Sequence, residues 1–466
     1  MSSDYWTYSA TEIVENIKSQ NLSAVNVIES HLDRISATNG VINAVVTLNE
    51  EAALNQAKDI DKRVSNGEQV GLLAGVPIGV KDVTATAGIR TTFGSPLFAD
   101  HIPDKDDIIV QRIKEADGII IGKTNTPEFA TGGNTYNDVF GATRNPWNTK
   151  LSAGGSTGGG GAGLISGMFP MASGSDLGGS LRIPAAFCGV MGLRPTPGLV
   201  PSGPGNTPFD ILGVPGPMAR SSEDLAVLLE VMAQPHLSHP HCPQSRYINS
   251  ENQKIETLKI AYVPDVANIG VDKSIAECCR NAATVVASVG HIINDCKLDL
   301  SKGRPAFSIL RGQWMVNKYL HLIDRLDELG TNLASNIRKG LDQKPTEIAE
   351  AETIRSTLWF KLVEIFEHYD AILTPTLPIT PFPVDQNYPE EINGRKMESY
   401  FDWFAPTLVF SLFGLPALSV PSGLTGEGLP AGLQIVGPRF SEGRLIELAK
   451  TVSKKIPIGL PNLKKL

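Results

Sequence analysis

An α/β fold is predicted by two features of the sequence, short apolar runs bounded by glycine or proline and amphipathic segments between them. Leu72–Asp82 and Gly118–Gly122 are such runs and are predicted to be buried strands. Asp106–Glu115 lies between them and has the pattern of a helix. The chain has 466 residues, with 41% hydrophobic and 19% charged residues, which is typical of a globular protein that buries a core.

The first 65 residues are predicted to be a helical scaffold. Ser9–Glu12 matches a capping box, in which the serine and glutamate each satisfy a free backbone N–H at a helix start. A second helix is predicted to follow Ser23, and Glu50–Arg63 is predicted to be a charged surface helix. Asn43–Thr47 between them is predicted to be a strand.

The rest of the chain continues the alternation of strands and helices. The predicted strands are 187–193, 259–263, 369–374 and 433–437, and the predicted helices are 221–232, 274–288, most of 304–367, and one from 441. Frequent prolines from Pro195 to Pro217 predict a long structured loop, and the polar segment Pro235–Gln253 predicts a linker.

One segment is long enough to test for a membrane span. Trp403–Gly426 is uncharged for 24 residues, but it contains three prolines and three glycines that would interrupt a spanning helix. A buried helix over Pro406–Phe413 and a strand over Ala417–Val420 are predicted instead. The first residues include acids and do not form a basic segment followed by an apolar one, as a secretory signal would. We therefore expect a cytoplasmic protein without a membrane partner.

Charge and metal-ligand patterns exclude several classes of function. The net charge of −8, without a lysine or arginine cluster, argues against a nucleic-acid partner. Five cysteines without a CxxC motif are typical of a reducing compartment. His236, His239 and His241 lie in a polar segment without further ligands nearby, so we expect no metal and no cofactor.

The 27 residues Gly154–Ser180 hold eleven glycines and five serines, yet apolar residues interrupt them, which predicts an ordered and buried segment rather than a linker. Gly158–Gly163 matches the dinucleotide pattern GxGxxG but lacks the preceding strand and the later acid. Gly154–Gly158 matches GxSxG, the nucleophile elbow, but lacks the preceding strand and a histidine in a suitable context. No GK[ST] follows, which excludes a P-loop.

Lys81 at the end of a predicted buried strand has two interpretations. It either pairs with the adjacent Asp82, or burial lowers its pKa so that it acts as a base. The strand alone does not decide between them.

Several spaced segments together resemble the amidase signature family over most of the chain. They are Gly75–Asp82, Gly122–Glu128, Thr143–Trp147, Gly154–Gly159, Gly174–Pro184, Phe187–Leu193, Leu373–Thr376 and Leu415–Leu418. The resemblance implies a three-layer α/β/α fold with a large, mixed, twisted central sheet flanked by helices. It also implies one domain over residues 1–466, with a catalytic core over 70–233.

The same resemblance assigns a catalytic triad. It implies that Ser180 is the nucleophile, Ser156 the bridging serine and Lys81 the general base. It further implies a cis peptide bond between Gly155 and Ser156. A serine hydroxyl needs an adjacent base, and a buried lysine can be that base at neutral pH because desolvation disfavours its charged form.

Supporting residues are carried over in the same way. The backbone amides of Leu177, Gly178 and Gly179, with that of Ser180, are expected to form the oxyanion hole. The carbonyl of Ala130 is expected to accept a hydrogen bond near the nucleophile. Asp176 and Arg182 are expected to support this loop. The chain has Thr157 where the family most often has a second serine, and we expect Ser156 rather than Thr157 to relay the proton.

The expected reaction is hydrolysis of a carboxylic amide to acid and amine through an acyl-enzyme. Residues 300–405 are expected to wall a pocket for an apolar or aromatic acyl group, with esters, anilides and carbamates as further substrates. The aromatic candidates are Trp314, Tyr319, Tyr388, Tyr400, Phe401 and Trp403. The alternatives are an A-type amidotransferase component that acts on misacylated transfer RNA, and a catalytically silent binding protein on the same fold. A homodimer is left open.

Overall fold

The computed structural model describes residues 4–203, 207–243 and 256–463. The α-helices are α1 (Ala10–Lys18), α2 (Ala24–Ile42), α3 (Glu50–Ser65), α4 (Ile108–Glu115), α5 (Gly158–Ile165), α6 (Arg182–Cys188), α7 (Ser222–Met232), α8 (Lys273–Ser288), α9 (Gly303–Lys318), α10 (Thr331–Leu341), α11 (Pro345–Phe366), α12 (Ala405–Ser411) and α13 (Glu442–Lys455). Short 3-10 helices cover Tyr5–Thr7, Pro96–Phe98, Glu128–Ala130 and Leu320–Glu328.

The strands are β1 (Val45–Leu48), β2 (Pro77–Lys81), β3 (Ile119–Thr124), β4 (Arg144–Asn145), β5 (Asn148–Ser152), β6 (Met171–Asp176), β7 (Met191–Arg194), β8 (Val214–Ala219), β9 (Lys259–Tyr262), β10 (Ile292–Asp295), β11 (Ala371–Pro375), β12 (Glu391–Ile392), β13 (Arg395–Lys396), β14 (Ala417–Leu424) and β15 (Pro430–Val436). Eleven of them form one sheet in the order β1-β3-β2-β6-β8-β7-β14-β15-β11-β9-β10. Parallel pairs such as β2 with β3 and antiparallel pairs such as β14 with β15 make this sheet mixed, as expected.

Both faces of the sheet are covered by helices, which confirms the three-layer α/β/α expectation. Successive residues of a strand point to opposite faces. Ile120 accordingly packs in one hydrophobic core, with side chains of α1, α3, α4, α7, α8 and α13. Ile121 packs in a core on the other face, with side chains of α5 and α6. A third core continues that face with side chains of α9, α11 and α12.

The glycine run forms helix α5, every residue of which is buried. Gly159 lies so close to neighbouring backbone that a Cβ on it would stand 2.3 Å from the amide nitrogen of Asn125 and 2.6 Å from the carbonyl oxygen of Ala44. No other residue type fits there, because the contacted atoms are main chain. The run therefore serves close packing, as its apolar interruptions predicted.

Two local predictions were wrong. Phe187 and Cys188 end helix α6, which Gly189 terminates in a left-handed conformation with φ of +74°. Only the last three residues of the predicted strand 187–193 lie in a strand, β7. A short apolar run that is buried on all sides does not show its period, which explains the error.

The second error is the predicted proline loop, which ends where strand β8 begins. Pro215 and Pro217 pair with β6, whereas β7 pairs only with Met218 and Ala219. Proline is tolerated at these two positions because β7 does not pair with them, so no backbone N–H is needed on that side of β8.

The segment tested for a membrane span contains α12 and β14, as predicted. Within the described ranges, no helix is both long and apolar enough to cross a bilayer. Of the predicted linker 235–253, residues 244–253 lie outside the described residues.

Candidate active site

A cavity of about 420 Å³ opens beside the ends of strands β2 and β6. Ser156, Ser175 and Ser180 line its polar side, together with Leu177 and Gly178 of the loop that follows β6. Ligands in α/β sheets commonly bind outside the carboxyl ends of strands, and this cavity has that position. The two serines that the sequence analysis singled out therefore face one space.

Lys81 ends strand β2 and is completely buried beneath this cavity. Its Nζ lies 2.7 Å from Oγ of Ser156 and 3.1 Å from Oγ of Ser175. The alternative partner, Asp82, instead accepts hydrogen bonds from the backbone N–H and the hydroxyl of Thr92. The structure thus joins Lys81 to Ser156 and does not form the predicted alternative pair.

The charged form of Lys81 is disfavoured. Burial lowers its pKa from 10.5 to about 7, and the negative charge of Asp176 only partly opposes this effect. A lysine with a pKa near 7 is largely neutral in mildly alkaline solution and can then accept a proton.

Lys123, the penultimate residue of the neighbouring strand β3, shows that burial alone does not single out Lys81. It too is completely buried, and desolvation lowers its pKa to about 7. Its Nζ, however, donates to the carbonyl of Thr84 and to the hydroxyls of Thr86 and Thr91, at 2.8 and 3.0 Å for the hydroxyls. These contacts hold the loop that follows β2, and none of them reaches a serine of the cavity.

The segment before α5 holds Ser156 tightly. The Gly155–Ser156 peptide bond is cis, as the family resemblance implied. A Cβ on Gly155 would stand 2.8 Å from the carbonyl oxygen of Gly132, so the backbone of this loop admits no side chain there. Thr157 forms hydrogen bonds with main chain only, since its N–H donates to the carbonyl of Ser180 and its hydroxyl to that of Ser175. Of the two adjacent hydroxyls, only that of Ser156 meets Lys81.

The loop Leu177–Ser180 is organised by Asp176, which is fully buried. Its carboxylate accepts from the N–H of Gly179 at 2.9 Å and from that of Leu181 at 3.2 Å. Gly179 has φ of +136° and lies against Thr407, so glycine is required there. Thr407 also donates its hydroxyl to the carbonyl of Gly178 at 2.6 Å. The loop is therefore held from both sides.

The amides expected to form the oxyanion hole differ in their engagement. Those of Leu177, Gly178 and Ser180 have no hydrogen-bond partner in the described part of the chain. The amide of Gly179 already donates to Asp176, so its predicted role requires that its N–H be shared. Three unengaged amides beside a candidate nucleophile are the donors that a developing oxyanion needs.

Two buried arginines neutralise Asp176. Arg182 donates two hydrogen bonds to its carboxylate, at 2.8 and 3.0 Å, and Arg194 lies 3.4 Å away. Burial by itself would raise the pKa of Asp176, but the charges of Arg182 and then Arg194 lower it to about 2. This carboxylate is consequently ionised throughout the neutral range.

Replacing Asp176 by asparagine is expected to lower the free energy of unfolding by about 3–5 kcal/mol, because two buried guanidinium groups lose their counter-charge. Urea denaturation measures this change. Asp295→Asn is the matched control, since Asp295 forms an exposed pair with Arg280 and such pairs contribute little. Equal effects of the two substitutions would contradict a special role for the buried cluster.

Ala130 lines the cavity at an unusual turn of the backbone. Both Phe129 and Ala130 have left-handed conformations, with φ of +46° and +59°. Such conformations are uncommon outside glycine and are found at functional sites. The position agrees with the expectation that the carbonyl of Ala130 meets a ligand, which remains a prediction.

The remaining walls of the cavity are mostly aromatic. Of the candidates from the sequence, Trp314, Tyr319 and Tyr400 line it, whereas Trp403 lies fully buried in the core and stacks on Phe187. Neither Tyr388 nor Phe401 lines it. Aromatic residues that the sequence analysis missed also line the cavity, namely Phe93, Phe98, Phe129, Phe307 and Phe404.

Several polar residues of the cavity were also missed. Ser175 contacts Lys81 directly, and its signal was its place five residues before Ser180 in the quoted motif. The others lie outside the quoted motifs and carry no sequence signal: Asp107, Asp210, Arg311, Lys318 and His321. His239, which the sequence offered only as a metal ligand, lines the cavity as well. Among the residues that the structure describes, no group of three potential ligands could hold a metal ion, and His236 and His241 do not line the cavity.

Comparison with known proteins identifies the family. The profile of the amidase family matches residues 26–446. The chain belongs to the amidase family. Its relatives include an acylamidase from Rhodococcus erythropolis, which is 33% identical over 451 residues, covering 95% of this chain and 94% of the relative. The A component of the glutamyl-tRNA(Gln) amidotransferase of Alkaliphilus metalliredigens is also 33% identical, covering 93% of each chain.

Solved structures of amidase signature enzymes share this fold. A bacterial aryl acylamidase superposes with a TM-score of 0.90 at 28% identity, covering 97% of this chain and 96% of that one. A 6-aminohexanoate cyclic dimer hydrolase superposes with a TM-score of 0.88 at 27% identity, covering 99% and 100%. Together with the family profile, these likenesses show an enzyme that hydrolyses the C–N bond of carboxylic amides.

Proposed function

We propose that this amidase uses Ser180 as nucleophile, Ser156 as proton relay and Lys81 as general base, on an amide with an apolar or aromatic portion. The observation that carries the proposal is the 2.7 Å contact between Nζ of Lys81 and Oγ of Ser156, directly beneath the cavity that Ser180 lines. The lowered pKa of Lys81 supports its role, because only the neutral amine can take a proton.

The proposed reaction begins when Oγ of Ser180 attacks the amide carbonyl. Its proton passes to Ser156, whose own proton passes to neutral Lys81; a hydroxyl can donate and accept at the same time. The unengaged amides of the loop then stabilise the oxyanion. The proton returns through Ser156 to the leaving amine, and water hydrolyses the acyl-enzyme by the same relay.

Asp176 and Arg182 are proposed to act through the loop rather than on substrate. Their contacts hold Gly179 and Leu181 on either side of Ser180. Preorganised donors stabilise a transition state because they need not reorganise during the reaction. Rigidity at this loop is therefore part of the proposed mechanism.

Walls rich in phenylalanine support an apolar or aromatic substrate portion, since such side chains favour burial of apolar surface. One relative is named an acylamidase and one similar solved structure is an aryl acylamidase, which agrees with an apolar or aromatic substrate. Anilides are the simplest substrates that combine an amide with an aromatic group. Esters and carbamates are proposed as secondary substrates because the same nucleophile attacks their carbonyls.

A component of a transfer-RNA amidotransferase is the second candidate, because relatives with that name reach the same 33% identity. The chain has Thr131–Tyr136 where we expect such a component to carry a different segment, and its net charge of −8 is unfavourable for an RNA partner. A component of that kind would work in a complex. Measuring whether the purified chain is active without a partner therefore distinguishes the two candidate functions.

The test is a panel of amides, esters and carbamates offered to the purified chain without ATP, transfer RNA or another protein. We expect release of acid and amine in equal amounts from 4-nitroanilides of short acyl groups. Absence of turnover on every member of the panel, with a folded protein by circular dichroism, would overturn the proposal. Activity that appears only on adding transfer RNA and partner proteins would favour the second candidate.

A further inference from the structure

Helix α9 places a buried cation in the catalytic cavity. Arg311 lines this cavity with only 6% of its surface exposed. Its guanidinium donates to the side-chain oxygen of Asn336 and to the hydroxyl of Tyr400, both of which are neutral groups. No aspartate or glutamate among residues 4–203, 207–243 and 256–463 forms an ion pair with it. A buried guanidinium without a counter-charge is unfavourable in a protein interior.

Asp176 and Lys318, which also line the cavity, have opposite charges close by. Asp176 is neutralised by the two buried arginines described above. Burial lowers the pKa of Lys318, and the negative charges of Asp210 and then Asp107 oppose that effect. Lys318 thus lies among acids, whereas Arg311 does not. Arg311 is therefore a buried positive charge in the cavity whose hydrogen-bond partners are neutral.

The spacing along α9 locates that position relative to the reaction centre. The helix presents Phe307, Arg311, Met315 and Lys318 to the cavity, at intervals of three or four residues that define one face. Phe307 packs beside the oxyanion loop, since its Cζ lies 3.2 Å from where a Cβ of Gly178 would be. Four residues advance a helix by about 6 Å. Arg311 therefore lies about one helical turn from the loop that receives the scissile carbonyl.

The geometry points to a carboxylate on the substrate, and we propose that this amidase prefers amides with a carboxylate about one helical turn from the scissile bond. This inference rests on the proposed function. A guanidinium has five N–H donors and binds carboxylates through two parallel hydrogen bonds. Asn336 and Tyr400 use only part of these donors. The hydroxyl of Tyr400 accepts from Arg311 and retains its own proton for the carboxylate.

The aromatic surroundings of Arg311 are compatible with this ligand. The guanidinium carbon lies 5.4 Å from the ring centroid of Tyr400 and 5.8 Å from that of Phe401. These rings exclude water, so a bound carboxylate would gain more from the cation than it would in solution. The apolar walls would contact the rest of the substrate. The preferred amide would thus be apolar along most of its length and anionic at one end.

The experiment compares anionic anilides with neutral ones of equal chain length. The probes are succinyl- and glutaryl-4-nitroanilide against butyryl- and valeryl-4-nitroanilide, with N-butyryl-4-aminobenzoate against N-butyrylaniline for a carboxylate on the amine side. In the wild-type enzyme, we expect at least one anionic probe to exceed its neutral counterpart tenfold or more in kcat/KM. Arg311→Gln is expected to lower this ratio at least tenfold, and Arg311→Lys to lower it less.

The ratio, rather than the rate, is the readout, because loss of fold lowers both rates together. Arg325→Gln is the matched control: Arg325 is paired with Glu328 and does not line the cavity, so the ratio should not change. The inference is overturned if wild-type enzyme favours every neutral probe, or if Arg311→Gln leaves the ratio intact. Turnover of neutral anilides in either case would leave the proposed function standing. If Arg311→Gln does not fold, the wild-type ratio and the lysine variant decide.

Discussion

Replacing Ser180 by alanine is expected to lower kcat/KM for a simple aryl amide by about 10⁴-fold or more, as loss of the nucleophile does in other serine hydrolases. The alanine retains the backbone amide and removes only the hydroxyl. A fluorophosphonate should label wild-type protein at Ser180, as peptide mass mapping would show, and should not label the variant. Circular dichroism should be unchanged.

Ser173→Ala is the matched control for this experiment. Ser173 lies in strand β6, its hydroxyl has no hydrogen-bond partner in the described part of the chain, and it does not line the cavity. We expect near wild-type activity and labelling in this variant. Substantial turnover by Ser180→Ala, or labelling at Ser156 in the wild-type protein, would assign the nucleophile elsewhere.

Lys81→Met is expected to lower kcat by about 10²–10⁴-fold, the range typical of lost general-base catalysis. Methionine fills the buried space without a charge. In the wild-type enzyme, the active form requires neutral Lys81, whose pKa is lowered to about 7. Activity should therefore rise tenfold per pH unit below about pH 7 and level off above it. The methionine variant should lack this rise, which is the acidic limb of the pH profile.

Lys123→Met is the matched control, because Lys123 is equally buried and its pKa is also lowered to about 7. In this variant, the acidic limb of the pH profile should lie at the same pH as in the wild-type enzyme. That position does not depend on how much of the enzyme is folded, so a less stable control still gives an answer. Loss of the limb in Lys123→Met, with its retention in Lys81→Met, would reverse the assignment.

Much of the fold could be predicted because the local signals are strong. The capping box at Ser9–Glu12 is formed as predicted, and helix α7 begins at Ser222, one residue after the start of the predicted helix 221–232. Strand β6 was not predicted, since its six residues include three that are glycine or serine and resemble a loop. Strand β8 was hidden by its prolines. In both cases the neighbouring strands, rather than local propensity, stabilise the extended conformation.

The candidate site divides in the same way. Ser156 and Ser180 stand in glycine-rich segments whose composition is explained only by close backbone approach, so their motifs are visible in one dimension. Arg311 is an ordinary residue of an amphipathic helix in the sequence. It becomes informative only when the structure shows that it is buried, lines the cavity and forms no ion pair with an acid in the described part of the chain. Whether a charge is paired depends on the residues that surround it in the fold, and these cannot be read from the sequence.

By itself, the sequence determined the reaction type, because its spaced motifs resemble those of the amidase signature family, and the family profile matches residues 26–446. Only the tertiary structure shows which of two buried lysines contacts Ser156. Lys81 and Lys123 lie at or next to the ends of adjacent strands and have similar burial and pKa. The order β3-β2-β6 places Lys81 directly beside the strand that carries Ser175, while Lys123 lies one strand further away. A proton passes only between groups in contact, and strand order creates that contact.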